Sequence, residues 1–220
     1  MEIWGILWDL DGVLVDTRDV HYRTWKQLLG ERGINLTYED FRSTFGMKNA
    51  DFLHLWLGRE LEPLEAEEIS NAKEVRFRRA ARGQVQALPG VQSWLEQFRT
   101  WGFPQAVASS ADIDNIEMLV DELGIRRYFA ALVSAYAWPG KPDPAVFLEA
   151  ARRIDMPPQQ CLVIEDSVPG VEAARRAGMK CLAVTTTYPA TALGAASIVV
   201  ERLEHLAVSQ LQALLDSQSA

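Results

Sequence analysis

The clearest pattern in this chain is a series of short apolar runs, each followed by polar residues. The first run covers residues 3–8, is continuous enough for a buried strand, and ends at Asp9. From residue 91 onward, apolar runs alternate with segments of helical periodicity, which is typical of a parallel sheet with right-handed crossovers. The later strands are predicted at residues 104–108, 131–134, 161–164 and 181–184, and the tail from Leu203 is predicted to form a surface helix. We therefore predict an α/β fold with a Rossmann-like parallel sheet flanked by helices.

A long stretch without a strand pattern interrupts this fold. Between residues 17 and 82, apolar positions such as Trp25 and Leu28 recur at helical spacing. Glycine and proline divide the stretch into several helices. We predict an α/β core formed by residues 1–16 and 83–220, with an inserted, all-helical cap formed by residues 17–82.

Composition narrows the classes of protein that fit. The net charge of −8, without a basic stripe, argues against a nucleic-acid partner. No apolar run approaches the roughly 20 residues of a membrane span, and we expect no signal peptide because the start lacks a basic region. Cys161 and Cys181 adjoin apolar segments and are predicted to be buried thiols in a reducing compartment. We expect a cytoplasmic protein without a membrane partner, monomeric, with a dimer left open.

Polar side chains follow three of the predicted strands. Asp9 and Asp11 end the first, Ser109 ends the second, and Glu165 with Asp166 ends a later one. The carboxyl ends of parallel strands lie along one edge of a sheet, where α/β proteins bind ligands. We therefore expect these side chains to converge on one site.

Lys141 lies in a loop that three prolines stiffen on the same side of the sheet, and it can place a cation near the carboxylates. Each residue also has an ordinary structural explanation. Aspartate and glycine form turns, Ser109 can cap a helix, and a lone lysine is usually solvated. Glu165 and Asp166 can cap the helix that follows them. Their combination, in this order and at these strand ends, favours a functional site.

The chemistry that this set suits is phosphoryl transfer. Carboxylates are hard oxygen ligands of the kind that Mg²⁺ prefers, and the sequence has no His or Cys cluster that would suit zinc. A hydroxyl and a lysine can bind phosphate oxygens and neutralise charge as the phosphoryl group moves. One aspartate can attack phosphorus while a second handles the proton.

Four short segments carry these residues in order. They are residues 9–13, residues 107–111 around Ser109, residues 140–144 around Lys141, and residues 164–167 followed by Gly170 and residues 173–174. Together they resemble the four motifs of the haloacid dehalogenase superfamily of phosphatases and phosphomutases. The helical insert after the first motif resembles the small cap of the subfamily that includes β-phosphoglucomutase and phosphoglycolate phosphatase.

The resemblance implies a role for each catalytic residue. Asp9 would be the nucleophile that becomes an aspartyl-phosphate. Asp11 would protonate the leaving oxygen and then activate water. Ser109 and Lys141 would hold the transferring phosphoryl group.

The resemblance also implies a magnesium site. Asp166 would bind Mg²⁺ alongside Asp9 and the backbone carbonyl of Asp11, with Glu165 supporting or ligating. Asp11 argues against dehalogenation, because a halide leaves without needing a proton. The chain therefore resembles the members that act on phosphate.

The predicted cap should select the substrate, because the core motifs grip only the phosphate. His21 resembles a cap-hinge histidine of sugar-phosphate members, although it can equally be an ordinary surface histidine. In β-phosphoglucomutase an arginine of this region binds the second phosphate, and its nearest counterpart in this chain is Lys48. A lysine cannot bind a phosphate in the bidentate way that an arginine can. Ser110 is also predicted to bind substrate, and the acidic Asp112 after it is unfavourable for a second phosphate.

These features favour a Mg²⁺-dependent phosphatase that hydrolyses a small phosphorylated metabolite, a sugar phosphate in our interpretation, through an aspartyl-phosphate. Two alternatives stay open. One is a β-phosphoglucomutase-like sugar phosphomutase, and the other is a non-catalytic module that binds a phosphorylated metabolite.

Overall fold

A six-stranded, all-parallel sheet forms the centre of the protein. The computed structural model describes residues 2–44 and 49–217. The strands are β1 (Gly5–Trp8), β2 (Gln105–Ser109), β3 (Ala131–Ser134), β4 (Cys161–Glu165), β5 (Lys180–Val184) and β6 (Ile198–Val200). Their order in the sheet is β3-β2-β1-β4-β5-β6. The predicted Rossmann-like fold is confirmed, and the change of direction in strand order at β1 is where such sheets bind ligands.

Helices pack on both faces of the sheet and form the segment between β1 and β2. In the first segment they are α1 (Arg18–Gly30), α2 (Tyr38–Thr44), α3 (Asn49–Leu57) and α4 (Pro63–Ala81). Among the later strands they are α5 (Val91–Thr100), α6 (Ile113–Glu122), α7 (Ala145–Arg153), α8 (Val168–Arg176) and α9 (Val208–Asp216). None of the helices in residues 2–44 and 49–217 combines the length and the apolar character needed to cross a bilayer.

The end of the chain differs from the prediction. Strand β6 was not predicted, because only three residues form it and all are partly exposed. The tail helix begins at Val208 rather than at Leu203, which lies in a short 3₁₀ turn. This helix is anchored rather than superficial, since Leu211 and Leu215 are buried in the core.

The two faces of β1 pack into different apolar clusters. Ile6 and Trp8 point into a cluster that includes Phe98 of α5, whereas Leu7 points into a cluster that includes Phe147 of α7. This alternation follows from the two-residue period of a strand. The indole of Trp8 donates to the Oε1 atom of buried Gln105 at 3.0 Å, so this polar group of the core is satisfied. Burial on both faces fixes the end of β1 rigidly.

The two cysteines lie in this core as predicted. Cys161 and Cys181 are both free thiols, and both are buried. Burial raises the pKa of both thiols. They act as small apolar residues and do not form a disulfide.

Helices α1–α4 enclose an apolar cluster of their own. Its buried members are Trp25, Leu28, Leu29, Leu36, Phe41, Leu53 and Ile69. The two chain segments that join these helices to the sheet lie side by side. Val15 pairs with Ala87 in an antiparallel bridge, and the amide of Leu88 donates to the carbonyl of Leu14 at 3.0 Å.

Candidate active site

Strand register brings the predicted strand-end residues together. Trp8 lies level with Val107 of β2 and with Ile164 of β4. The next residue along β1, Asp9, is therefore level with Glu165 and one residue short of Ser109. The amide of Asp9 donates to the carbonyl of Ile164 at 3.0 Å, which continues the ladder to the edge. The buried, hydrogen-bonded backbone places the Asp9 carboxylate with little freedom.

A tight turn follows Asp9 and allows a close approach to Asp166. Gly12 in this turn has φ +85°, in the region that favours glycine. A Cβ at this position would lie 1.9 Å from the Oδ2 atom of Asp166. The glycine of the first motif is thus required both by the backbone conformation and by the neighbouring carboxylate.

Lys141 joins two of the carboxylates. Its Nζ atom lies 2.5 Å from Oδ1 of Asp9 and 2.7 Å from Oε1 of Glu165, and it also donates to the carbonyl of Ala108 at 3.4 Å. Burial acts to lower the pKa of the Lys141 ammonium, but Asp9 and Glu165 outweigh it and raise that pKa. Lys141 is therefore a permanent cation at the centre of the site.

Both oxygens of Glu165 are engaged by hydrogen-bond donors. Oε2 accepts the amides of Asp166 and Ser167, each at 2.8 Å, and the hydroxyl of Ser167 at 2.9 Å. Oε1 accepts from Lys141. A Cβ on Gly170, in the first turn of α8, would lie 1.8 Å from Oε1. Glu165 fixes the ammonium of Lys141, and its direct ligation of a metal stays a prediction.

Asp9 and Asp166 are acidic groups whose surroundings disfavour negative charge. Burial raises the pKa of both, and the charges of neighbouring carboxylates, Glu165 first, raise them further against the effect of Lys141. The hydroxyl of Thr187 donates to Oδ2 of Asp166. Such a group of carboxylates is destabilised unless a cation or protons compensate it.

The acidic cluster fits a divalent cation. Carboxylate oxygens of Asp9, Glu165 and Asp166 lie within 4.8 Å of one another, and all three residues are buried. Hard oxygen donors are the ligands that Mg²⁺ prefers. The cluster holds three carboxylates against the single ammonium of Lys141, so a divalent ion would balance its charge.

Asp11 lies beside this cluster but has different partners. The hydroxyl of Thr17 donates to its Oδ1 atom, and Nε2 of His21 lies 3.8 Å from the same oxygen. Burial acts to raise the pKa of Asp11, but the interactions with His21, Thr17 and Lys73 lower it below its usual value. The pKa of Asp9 is therefore raised and that of Asp11 is lowered, so the two carboxylates have opposite environments although only one residue separates them.

Ser109 and Ser110 lie at the rim of the carboxylate cluster. Ser109 is buried, and its hydroxyl oxygen accepts the amide of Ala111 at 3.1 Å. The N-cap of α6 is Asp112 rather than Ser109, since Asp112 accepts the amide of Asp114 at 2.8 Å. A helix-capping role therefore does not explain Ser109.

These groups line one cavity of about 50 Å³. Its lining residues are Asp9, Asp11, Ser109, Ser110, Lys141, Glu165, Asp166, Ser167, Thr187 and Tyr188. The structure thus brings together every predicted core residue of the site. His21 reaches it through Asp11, whereas Lys48 lies outside the described residues.

Thr187 was missed by the sequence interpretation, although a signal for it existed. It follows β5, whose end lies at the same edge of the sheet as those of β1 and β4. Lys73 and Glu74 of α4 were also missed, and for them no local signal existed, because their position depends on how α4 packs against α1.

The fold and the site together define a parallel α/β protein with carboxylates and one lysine arranged to hold a cation and to act on an anionic group. A family model described as haloacid dehalogenase-like hydrolase matches residues 3–178. The chain belongs to this family of hydrolases.

Relatives and solved structures agree with this assignment. The chain is 30% identical over 184 residues to the fructose-1-phosphate phosphatase YqaB of Escherichia coli (strain K12), covering 82% of this chain and 95% of that protein. It is 31% identical over 216 residues to the chloroplastic 5-amino-6-(5-phospho-D-ribitylamino)uracil phosphatase of Arabidopsis thaliana, covering 97% of this chain. The chain spans only 58% of the length of that second relative. The fold of β-phosphoglucomutase (pgmB) from Clostridium difficile is also similar, with a TM-score of 0.87, 24% identity and 98% of both chains covered.

Proposed function

We propose that this protein is a Mg²⁺-dependent phosphatase that hydrolyses a small phosphorylated metabolite through an aspartyl-phosphate on Asp9. The observation that carries the proposal is the contrast between two neighbouring carboxylates. Asp9 accepts from Lys141 and belongs to the acidic cluster, whereas the Asp11 carboxylate lies outside that cluster and contacts Thr17 and His21. This arrangement separates the attacking group from the proton carrier, as hydrolysis of a phosphate ester requires.

The attacking atom would be Oδ2 of Asp9. Its Oδ1 atom accepts from Lys141, and among the residues described no donor binds the second oxygen. Attack of this oxygen on phosphorus forms the Asp9–phosphate bond and breaks the bond to the ester oxygen, which takes a proton from Asp11. The lowered pKa of Asp11 must rise for this step, which the negative charge of a phosphate bound beside it would bring about. Lys141 holds Asp9 in place and offsets the charge of the transferring group.

Water completes the reaction. Asp11, now without its proton, removes a proton from water as the water oxygen attacks the phosphorus of the aspartyl-phosphate. Inorganic phosphate leaves, and Asp9 and Asp11 return to their starting protonation states. The hydroxyls of Ser109 and Ser110 and the ammonium of Lys141 would bind the phosphate oxygens.

Asp9 and Asp166 would hold Mg²⁺ with the backbone carbonyl of Asp11, and Glu165 would support them. When bound, the ion supplies positive charge that draws the phosphate into a cluster rich in carboxylates. This assignment fits the raised pKa values of Asp9 and Asp166, because a bound cation would offset both the burial and the carboxylate repulsion that raise them.

We assign the choice of substrate to a helical cap formed by residues 17–82, on a core formed by residues 1–16 and 83–220. The separate apolar cluster of α1–α4 and the paired linkers at Val15 and Ala87 support these boundaries. Because relatives include a fructose-1-phosphate phosphatase and a phospho-ribitylamino-uracil phosphatase, we propose a phosphorylated sugar or sugar alcohol as substrate. We further propose a cytoplasmic monomer, which gel filtration with light scattering would check.

A substrate screen tests this function directly. Purified protein with Mg²⁺ is given hexose 1- and 6-phosphates, pentose phosphates, phosphoglycolate and glycerol phosphates, and the products are resolved by ³¹P NMR. Free phosphate from one ester class is expected. Interconversion of a hexose 1-phosphate and a 6-phosphate without free phosphate would instead identify a mutase, and no turnover of any ester would contradict both.

Removing the metal is expected to stop phosphate release. With EDTA in excess, the carboxylate cluster lacks its cation, so an anionic phosphate is repelled. Release should return when Mg²⁺ is added back, and should fail to return with Na⁺ at equal ionic strength. Activity that persists after EDTA treatment and dialysis would contradict the proposed metal site.

Gly170→Ala is expected to reduce kcat/KM for the best substrate by about tenfold or more, the usual weight of a hydrogen bond to a charged group. The added Cβ would lie 1.8 Å from Oε1 of Glu165, so the carboxylate must leave Lys141. Gly30→Ala is the matched control, since no atom lies within 4 Å of its Cβ. Equal kinetics for the two variants would show that the contact between Glu165 and Lys141 does not matter for catalysis.

A further inference from the structure

A buried polar network connects α4 of the proposed cap to α6 of the core, and the proposed mechanism does not use it. At its centre is Glu74, on the side of α4 that faces the core. Asn115, one of the buried polar residues, belongs to the first turns of α6. The amide of Asn115 donates from Nδ2 to Oε2 of Glu74 at 2.6 Å.

Glu74 holds three elements at once. Its Oε1 atom accepts from Nζ of Lys73 and from Nδ2 of Asn49, each at 2.9 Å, while Oε2 accepts from Asn115. Asn49 is the first residue of α3, Lys73 belongs to α4, and Asn115 belongs to α6. One carboxylate thus ties two helices of the proposed cap to the core.

The opposite end of the Asn115 amide is also fixed. Its Oδ1 atom accepts from Nη1 of Arg78 at 2.9 Å, and Nη2 of Arg78 lies 3.7 Å from Oδ2 of Asp114. Both ends of one core side chain are therefore bound by side chains of α4. The orientation of the Asn115 amide is determined by these two partners, since a flipped amide would face Arg78 with a donor and Glu74 with an acceptor.

The ion pair of Lys73 and Glu74 is buried, and burial lowers the pKa of the Lys73 ammonium. Lys73 is 2% exposed, and its ammonium lies over the rings of Trp25 and Phe77. Burial acts against the charged form of Glu74, but Lys73 and His21 and the hydrogen bonds outweigh it and lower its pKa to about 2. A buried ion pair of this kind contributes little net stability, and its best-attested use is to specify one arrangement of the parts it joins.

The network also leads to the acid of the active site. The ring of Phe77, which lies beneath Lys73, stacks on the ring of His21 with centroids 3.9 Å apart. His21 in turn lies beside Asp11. A displacement of Glu74 would therefore move groups that surround Asp11, although Glu74 itself touches no part of the carboxylate cluster.

We propose that Glu74 and Asn115 form a latch, a positioning pair that fixes the helical cap against the core and so sets the alignment of cap groups over the active site. The inference rests on the proposed phosphatase function and names residues that regulate access to the same site. In the latch Asn115 donates and Glu74 accepts, so one substitution can break this hydrogen bond and a second can restore it with donor and acceptor exchanged.

Three variants test the latch. Asn115→Asp keeps the shape and the acceptor for Arg78 but sets a carboxylate against Oε2 of Glu74. The double variant Glu74→Gln with Asn115→Asp reverses the hydrogen bond, because the new amide donates to the new carboxylate, and it keeps the net charge. Glu68→Gln, at an exposed position of the same helix, is the matched control.

Hydrogen exchange of the backbone amides gives a readout that needs no turnover. In Asn115→Asp, exchange over residues 70–78 is expected to accelerate by about tenfold or more, as for loss of a hydrogen bond to a charged group, while β1 and β4 stay protected. In the double variant the exchange rate should return toward that of the wild type, and Glu68→Gln should exchange at the wild-type rate. Unchanged exchange in Asn115→Asp, or a double variant no better than the single one, would overturn the latch.

Kinetics separate a latch from general destabilisation. We expect Asn115→Asp to lower kcat/KM for a sugar phosphate more than for p-nitrophenyl phosphate, whose leaving group needs less alignment with the cap. Equal losses for both esters, together with faster exchange in β1 and β4, would mean that Asn115 only stabilises the fold. Absence of phosphate release by the wild-type protein would refute the phosphatase, but the exchange result would still judge the latch.

Discussion

Asp9→Asn is expected to abolish phosphate release from every ester that the wild-type protein hydrolyses. An amide nitrogen or oxygen cannot form the phosphorylated intermediate that the carboxylate of Asp9 forms in the proposed reaction. The side chain keeps its shape, and an amide oxygen can still accept from Lys141 at the position of Oδ1. The loss should therefore appear in kcat, measured as phosphate release under saturating substrate.

The fold should tolerate this change. Burial and the neighbouring carboxylates disfavour the charge on Asp9, as its raised pKa shows, so a neutral side chain of equal size removes repulsion. We expect the melting temperature to stay equal or to rise. Asp121→Asn, an exposed carboxylate of α6, is the control and should keep full activity. Substantial turnover by Asp9→Asn would remove Asp9 from the role of nucleophile.

Asp11→Asn is expected to reduce kcat by about 10²–10⁴-fold, the usual contribution of general acid–base catalysis. Thr17 can still donate to an amide oxygen at this position, so the geometry of the turn should persist. What the variant loses is the proton that the leaving oxygen needs and the base that water needs. Steady-state phosphate release with a sugar phosphate measures the loss.

The two steps respond differently to Asp11→Asn. An ester with p-nitrophenolate as leaving group needs little proton assistance, so attack by Asp9 should continue while hydrolysis of the aspartyl-phosphate is slow. The phosphorylated protein should then accumulate, and mass spectrometry after an acid quench would detect it. A kcat equal to that of the wild type with sugar phosphates would exclude the assigned role of Asp11.

The fold was predictable from the sequence wherever apolar runs were long enough to show a period. β1 and β4 are fully buried, and strands of that kind are continuous apolar runs. β6 was missed because three partly exposed residues carry no pattern of their own, and pairing with β5 alone makes them a strand. The start of α9 was misplaced because Leu203 is an apolar, buried residue of a 3₁₀ turn that precedes the helix, and it was assigned to the helix itself.

The candidate site was predictable to the extent that strand ends share one edge. That rule located Asp9, Ser109 and Glu165, because each follows or ends a parallel strand and the register places these strand ends level with one another to within one residue. The same rule could not show that both carboxylate oxygens of Glu165 accept hydrogen bonds, from Lys141 and from nearby donors. That arrangement depends on the close approach of Gly170 to the Glu165 carboxylate. Two partners of Glu74, Asn49 and Asn115, lie on helices far from it in sequence, and no local pattern encodes such a meeting.

The paired linkers at Val15 and Ala87 have a mechanical consequence. A domain joined by one flexible linker can rotate in all directions, whereas two linkers that are hydrogen-bonded to each other restrict rotation to one axis. We therefore expect rotation about their common axis to be the softest motion between the helical segment and the core. Such a rotation would return the side chains of the helical segment to the same place over the carboxylates, at the high effective concentration that a short intramolecular connection provides.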